Sequence, residues 1–479
     1  MATVKKNLLY SILLTTSGYI MSLVVFPYVS RVLGPANMGI VGFVDGTSGC
    51  FAILATMGIN FLGIREISRT RNDRTAISTT YSNLIALSII STLIAVSAFI
   101  VCALIVPSLR QYSALVCWGT LSIAAQSFLI EWFYKGLENF KYITVRNVAV
   151  KLCYIIAIFL LVRDSSNYVI YFSLIVLTYT INAIINMVYA RRFAGFSFHN
   201  LKLRTYLKPF LSLGTYTILA SLYITFNPMF LGIATNETQV GYYSVSVKLF
   251  IIILSSFSAL TAVLMPHMSV LLAKDEKDAF MDNSRRTISV FTALAAPLTI
   301  LGIFYSPQIV LLISGDAYTD AILPMQILMP LLFINGYEQI LNVQILMPLN
   351  SDNKIFRNSR IVMLLLVALN FALVPHFGAI GSAMVWLTCE LVMLILSQHT
   401  TRKYIGMPFQ WKALLHSIAV CLPCILLLIG ISFLPINQYI QAVVGGIAFI
   451  VFYFLIQITM LKNDACIFIL KQIKTRKHA

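Results

Sequence analysis

The chain is predicted to be an all-α, polytopic membrane protein of about fourteen transmembrane helices, and three observations carry that prediction. Hydrophobic residues make up 59% of the 479, charged residues only 11%, and mean hydropathy is +0.86. No ordinary soluble domain has this composition. The apolar residues fall into runs, most holding the roughly 20 residues that cross about 30 Å of hydrocarbon. Finally, the basic residues sort by side. Of 34 Lys and Arg, 29 lie in loops or at run ends on the N-terminal side, only Arg31, Arg110 and Arg163 lie on the other, and Lys151 and Lys248 lie further within runs. That bias is a strong positive-inside signal and predicts cytoplasmic termini. The formal net charge of +17 is then a matter of topology and lipid headgroups, and no nucleic-acid partner is expected.

In chain order, the first six runs are 8–28, 39–62, 81–106, 112–133, 142–162 and 168–190. Gly34-Pro35 supplies the first outer turn. Arg65–Arg74, Lys135 with Lys141, and Arg191–Lys208 mark the inner loops after the second, fourth and sixth runs. The next six are 210–234, 241–266, 288–313, 324–348, 361–377 and 378–397. The ninth holds Pro297 and Pro307 and should kink. The eleventh is near the lower length limit. Runs at 413–434 and 439–461 precede a basic tail. The first run is too long for a cleavable signal peptide and lacks a small-residue cleavage site. Every outer loop is short, the longest near 314–323, so no soluble domain is inserted.

The two halves echo each other. Phe26-Pro27, Leu33-Gly34, Met38-Gly39 and Phe43 correspond to Asn227-Pro228, Leu231-Gly232, Val240-Gly241 and Val245. Val145-Arg146-Asn147 likewise corresponds to Phe356-Arg357-Asn358. The expectation is a six-helix N-terminal lobe at 1–204, a six-helix C-terminal lobe at 205–403 in the same orientation, and two added helices with the tail at 404–479. Parallel repeats of this kind are a transporter architecture.

Six charges lie deep within the runs: Asp45, Glu131, Lys151, Lys248, Glu338 and Glu390. Each costs about 2.5–3.5 kcal/mol at the bilayer centre on insertion scales, which implies a polar interior and a function. Lys248, with the apolar flank Leu249-Phe250-Ile251-Ile252, is the leading candidate for an anionic substrate group. Lys151, Arg146 and inner-loop Lys141 form a cationic entry path, for which snorkelling and the positive-inside bias are the plainer account of Lys141. Arg31 suits a helix cap or a lipid phosphate. The carboxylates Asp45, Glu131, Glu338 and Glu390 are candidates for ion coupling or gating, or for interhelical hydrogen bonding. Glu390 reads as the most isolated of them. The repeat sets Asp45 and Lys248, of opposite sign, at equivalent places, which suggests a charge-paired gate.

Other features carry less. Cys421 and Cys424 form a C-x-x-C inside a span, with no second pair or His cluster to make a metal site. His199, His267, His376, His399, His416 and His478 form no ligand constellation. Asn236-Glu237-Thr238, a formal glycosylation sequon, sits in a very short loop and is read as chance. The absence of a Ser–His–Asp pattern, a phosphate-binding glycine loop or a large outer platform argues against an enzyme, including a membrane polysaccharide polymerase.

Four motifs carry a family likeness. They are Ser30-Arg31-Val32-Leu33-Gly34-Pro35 with Met38-Gly39, Lys135-Gly136-Leu137-Glu138 with Lys141, Gly241-Tyr242-Tyr243-Ser244 with Lys248-Leu249, and Phe377-Gly378-Ala379-Ile380-Gly381-Ser382-Ala383. In order and placement the chain, from its N-terminus to about Trp411, resembles the Wzx-type polysaccharide flippases of the multidrug/oligosaccharidyl-lipid/polysaccharide exporter superfamily. The resemblance implies a bacterial inner-membrane transporter that moves an undecaprenyl-pyrophosphate-linked oligosaccharide from the cytoplasmic to the periplasmic leaflet by alternating access. Its setting would be O-antigen, capsule or exopolysaccharide synthesis. It also implies a cationic residue at Lys248, no bound cofactor beyond a coupling proton or sodium ion, and membrane lipids, a polymerase and a chain-length regulator as partners. A multidrug efflux pump of the same superfamily is the transporter alternative, disfavoured by the like charge of Lys151 and Lys248 toward organic cations.

Overall fold

The structure, a computed structural model, describes residues 2–197, 201–254, 277–349 and 351–459. His199, His267, His478, the latter half of the eighth run and the basic tail lie outside the described residues. The described chain is helical, without strands, and contains nine helices apolar and long enough to cross a membrane, or ten if one bent pair counts as a span. Two of the nine are double length. Helix α1, Ala2–Thr56, would measure about 82 Å at 1.5 Å per residue, far more than one crossing needs. Gly34, at φ 74° and ψ 172°, breaks it between the first and second predicted runs. Only glycine takes that backbone conformation without steric cost.

The chain divides into two compact units, at Ser244/Val245. In the first, α1 is followed by α2 (Ile59–Thr70), α3 (Arg74–Ile105), α4 (Ser113–Ser127), α5 (Glu131–Gly136), α6 (Phe140–Leu161), α7 (Tyr168–Ala190) and α8 (Leu203–Ala234). A further helix, α9, occupies 237–254 and carries the unit boundary within it. The sequence placed the division at 204/205. In the structure α8 packs along α1 and the start of α9 touches the same helix, so both group with the first compact unit. A Cβ on Gly39 would fall 1.6 Å from the Glu237 carbonyl oxygen, and one on Gly241 2.0 Å from that of Pro35, so these two glycines permit backbone-to-backbone approach. Asn236 has a structural use in this corner: its Oδ1 accepts from the Gln239 N–H at 3.1 Å and caps α9.

The fourth predicted span is not continuous. Ile130 adopts φ 38°, ψ 33°, ending α4 and starting the short α5. A β-branched residue in the left-handed region is strained. The strain is held by a dense core of Tyr81, Trp132, Phe133, Tyr134 and Phe210, each no more than 3% exposed. Near the Gly34 break, Tyr28 Oη donates to the Val162 carbonyl at 2.7 Å and Asn37 Nδ2 to that of Ser165 at 2.9 Å, tying α1 to the α6–α7 turn.

The second unit holds α10 (Lys277–Phe304), α11 (Ser306–Ser314), α12 (Ile322–Leu328), α13 (Leu331–Gln339), α14 (Asp352–Ile405), α15 (Trp411–Ser432) and α16 (Gln438–Thr459). The ninth run behaves as half expected. Pro297 lies within helix, whereas Pro307 opens α11 after a break at Tyr305. The tenth run bends by 40° before Leu331 and then loosens into a π-helical stretch, Ile340–Leu346. The short eleventh run and the twelfth share α14, divided at Gly378 (φ 54°, ψ −128°). The two added helices are not a separate body. Val420, Cys421, Cys424 and Leu428 of α15 and Phe449 and Tyr453 of α16 form one core with Leu301 and Tyr305.

Candidate functional site

The first unit assembles a charged cluster at the junction of α5 and α6. The break at Ile130 makes Glu131 the first residue of α5, and its carboxylate is shared among three neighbours. Glu131 Oε1 meets Arg146 Nη2 at 3.1 Å and Asn147 Nδ2 at 3.3 Å, while Oε2 meets Lys135 Nζ at 3.3 Å. The Arg146 side chain is 4% exposed. Its guanidinium lies 5.9 Å from the centroid of the Tyr142 ring, one helical turn earlier, within cation–π range. Tyr142 is itself stacked on Tyr189, centroids 4.1 Å apart. The Nε and Nη1 of Arg146 have no hydrogen-bond partner among the described residues. A buried guanidinium with donors uncommitted can take a second planar anion beside the one it holds.

Lys151 lies half-buried on the same helix, about a turn and a half further into the span. Its Nζ donates to Ser17 Oγ of α1 at 3.3 Å and lies within electrostatic range of Glu131. The structure thus joins Arg146 and Lys151, named from the sequence as an entry path, to Glu131, named there for coupling. Glu131 is an ion-pair partner of the cations rather than a lone carboxylate.

A second acidic position in this unit is Asp45, exposed on the returning leg of α1 and within electrostatic range of the phenols of Tyr154, Tyr171 and Tyr179. Arg31 is exposed near the Gly34 break. Lys248 is exposed on α9, between buried Val247 and Leu249.

The second unit pairs the two remaining carboxylates. Glu390, on α14, is 8% exposed and accepts from Trp386 Nε1 at 3.3 Å. Glu338, near the end of α13, accepts from Asn342 Nδ2, the first hydrogen-bonded neighbour in the π-helical stretch. The two carboxylates lie within electrostatic range of each other. Glu390 is therefore not isolated, and the reason is tertiary: α13 and α14 pack side by side. π-Helical turns are frequent at functional sites because they re-aim side chains. Among the described residues no three His, Cys, Asp or Glu side chains form a metal-binding group.

Sequence reasoning did not single out Asn147, Tyr142, Asn342 and Trp386. A spacing signal existed for three of them. Tyr142 precedes Arg146 by four residues, Asn342 follows Glu338 by four, and Trp386 precedes Glu390 by four, the separation at which helical side chains meet.

Comparison with known proteins places this geometry in context. The family described as "Polysaccharide biosynthesis protein" matches residues 4–272, more than half of the chain. The chain belongs to this family. The family match ends just beyond α9 and includes the whole Glu131–Arg146–Lys151 cluster. A curated relative, the Escherichia coli (strain K12) protein named "Putative O-antigen transporter", is 21% identical over 402 residues, covering 82% of this chain and 95% of that protein. A Shigella dysenteriae protein of the same name is 22% identical over 167 residues, 34% of this chain and 41% of that one. Among solved structures, the lipid II flippase MurJ in an inward closed conformation matches at a TM-score of 0.63 and 13% identity, over 95% of this chain and all of that one. An inward-facing multidrug resistance MATE transporter of the MOP superfamily matches at 0.60 and 16% identity, over 81% and 94%. The fold of this family member is that of these transporters, and its apolar helices make it a multi-pass membrane protein.

Proposed function

We propose that the chain is a flippase that carries an undecaprenyl-pyrophosphate-linked oligosaccharide from the cytoplasmic to the periplasmic leaflet of the bacterial inner membrane, by alternating access. The observation that carries this reading is the buried Arg146, held by Glu131 and Tyr142 with two nitrogens uncommitted, in a chain of a polysaccharide-biosynthesis family. A guanidinium matches the paired oxygens of a pyrophosphate. Glu131 acts as the resident anion: it satisfies Arg146 when no substrate is bound and competes with the pyrophosphate when release is needed. Lys151 and Arg31 supply further cations for the same headgroup, and Lys248 is a further candidate for substrate contact. The names of the curated relatives support an O-antigen setting, with capsule and exopolysaccharide synthesis as alternatives. The polymerase and chain-length regulator of that pathway are the expected protein partners, and both termini face the cytoplasm.

Coupling is assigned to Glu338 and Glu390. Two carboxylates within electrostatic range of each other in apolar surroundings repel unless one takes up a proton or a sodium ion binds beside them. The pair is therefore a place where such an ion is taken up on one side and released on the other. No covalent chemistry is required. A multidrug pump is the weaker reading, because Arg146 and Lys151 repel organic cations.

The test is complementation of a bacterial strain that lacks its own flippase. The chain restores polymer at the cell surface. Arg146→Ala lowers polymer about 100-fold at equal membrane levels, and Arg146→Lys keeps part of it, in line with the 2–5 kcal/mol that truncating one partner of a buried charge pair costs. A chain that protects cells from cationic drugs yet restores no polymer overturns the proposal.

A further inference from the structure

The second unit contains an apolar pocket of about 730 Å³ that the transport reading does not use. Its wall includes Ile300 of α10, Phe333 of α13, Leu394 and Ile395 of α14, and Trp411 and Ile418 of α15. Gln398 is one of its few polar lining residues. Its Nε2 donates to the Met407 carbonyl at 2.9 Å, whereas its Oε1 is buried with no hydrogen-bond partner among the described residues.

The pocket has a defined end. Gly406, at φ 67°, terminates α14, and the chain turns back across the bundle to start α15 at Trp411. An aromatic row braces this turn: Phe333 to Tyr337 at 5.6 Å, Tyr337 stacked on Phe409 at 4.8 Å, and Phe409 against Trp411 at 4.5 Å. The Gln410 N–H donates to Tyr337 Oη at 3.2 Å. Tryptophan and tyrosine so placed mark a membrane–water boundary. From there the lining runs inward by seven residues on each helix, Gln398 to Leu391 and Trp411 to Ile418, or about 10 Å. That depth fits within one leaflet of the roughly 30 Å hydrocarbon layer.

Exposed basic residues cluster at this end. Arg402 follows Gln398 by four residues and so extends the same face of α14. Arg402, Lys403 and Lys412 are all exposed around the turn, and no Asp or Glu occurs between Leu391 and Leu461.

We propose that this pocket is a site for an anionic phospholipid of the leaflet on the basic-loop side. An acyl chain lies along Leu394, Ile395 and Ile418, and the phosphate is held by Arg402 and Lys412. The apolar depth selects a lipid of one leaflet, and the exposed cations at its mouth select the headgroup. The inference is independent of the transported substrate.

The experiment is tryptophan quenching by brominated-chain lipids in vesicles, with the Trp411 contribution taken as the difference between the wild-type chain and Trp411→Phe. In phosphatidylcholine vesicles, brominated phosphatidylglycerol half-quenches Trp411 at a mole fraction about fivefold lower than brominated phosphatidylcholine. That factor corresponds to the roughly 1 kcal/mol of one basic residue at an anionic surface. The double variant Arg402→Gln/Lys412→Gln, both surface positions, loses the preference while Trp411 remains quenchable. Equal mole fractions for the two headgroups in the wild-type chain mean ordinary annular contact and overturn the proposal. So does displacement of brominated lipid by a polyprenyl phosphate to the same extent in the wild-type and double-variant chains, which would make the pocket a seat for the substrate tail.

Discussion

The two units hold their interior charge in opposite ways. In the first, one carboxylate, Glu131, is surrounded by Arg146, Lys135 and, at longer range, Lys151. In the second, Glu338 and Glu390 lie within electrostatic range of each other, with neutral Asn342 and Trp386 as their hydrogen-bonding neighbours. The first cluster has cationic capacity to spare and suits an anion. The second has anionic capacity to spare and suits a cation. The sequence echo between the halves sharpens the contrast. Arg146 is buried and ion-paired, whereas its counterpart Arg357 is exposed, and it is Asn358 that is buried, donating to Thr400 Oγ1 at 3.3 Å. The same Arg-Asn motif thus has different surroundings in the two halves.

The strongest way to break this comparison is to neutralise the second unit alone. The double change Glu338→Gln/Glu390→Gln should lower transport about 100-fold, the equivalent of about 2.8 kcal/mol, and remove its dependence on pH or sodium. Binding of a pyrophosphate lipid should be unchanged. Thermal stability should not fall, because the change removes a repulsion. Loss of substrate binding in this variant would mean that the carboxylates belong to the substrate site.

A change in the first unit has a smaller expected effect and the opposite sign on affinity. Glu131→Gln removes the anion that competes for Arg146. Affinity for a pyrophosphate lipid should rise about tenfold, or about 1.4 kcal/mol, while turnover falls because release slows. A titration showing weaker binding would reduce Glu131 to a residue that merely positions Arg146.

The smallest effect is expected outside both clusters. Asp73 caps α3, accepting from the Thr75 N–H at 2.8 Å, the Thr75 hydroxyl at 2.6 Å and the Ala76 N–H at 3.3 Å. Its hydrogen bonds with Thr75 and Ala76 hold the carboxyl below its ordinary value of 3.8. A lowered folded-state value means stabilisation that is present above pH 3.8 and lost as the pH falls through the folded value. Asp73→Ala should therefore lower the melting temperature slightly at neutral pH, by an amount that shrinks as the pH falls below 3.8, with transport unaffected. A transport defect at normal membrane levels would extend the functional region to the α2–α3 loop.

Much of the fold was legible before the structure, because crossing a membrane depends on a property summed along the chain. Twenty apolar residues read as a span whichever way each side chain points. The turn at Gly34-Pro35 was equally visible, since glycine and proline act locally. The breaks at Ile130 and before Leu331 were not foreseen. Ile130 is a residue that disfavours its observed conformation, held there by the packing of Trp132 and Phe133 around it.

The charged residues themselves could also be picked out, because a charge in an apolar run has no inexpensive structural explanation. Their partnerships could not. Glu131 and Arg146 are fifteen residues apart, and Glu338 and Glu390 fifty-two. Whether such residues meet depends on helix rotation, where each residue turns the side chain by about 100°. It depends equally on which helices pack together. By itself the sequence determined the membrane class, the spans, the motifs of the family likeness and which residues were unusual. Only the tertiary structure decided that Glu131 neutralises Arg146, that Glu390 comes within electrostatic range of Glu338, and that the unit boundary falls inside α9. The physical reason is that hydropathy adds along one dimension, whereas an ion pair is a meeting of two directions in space.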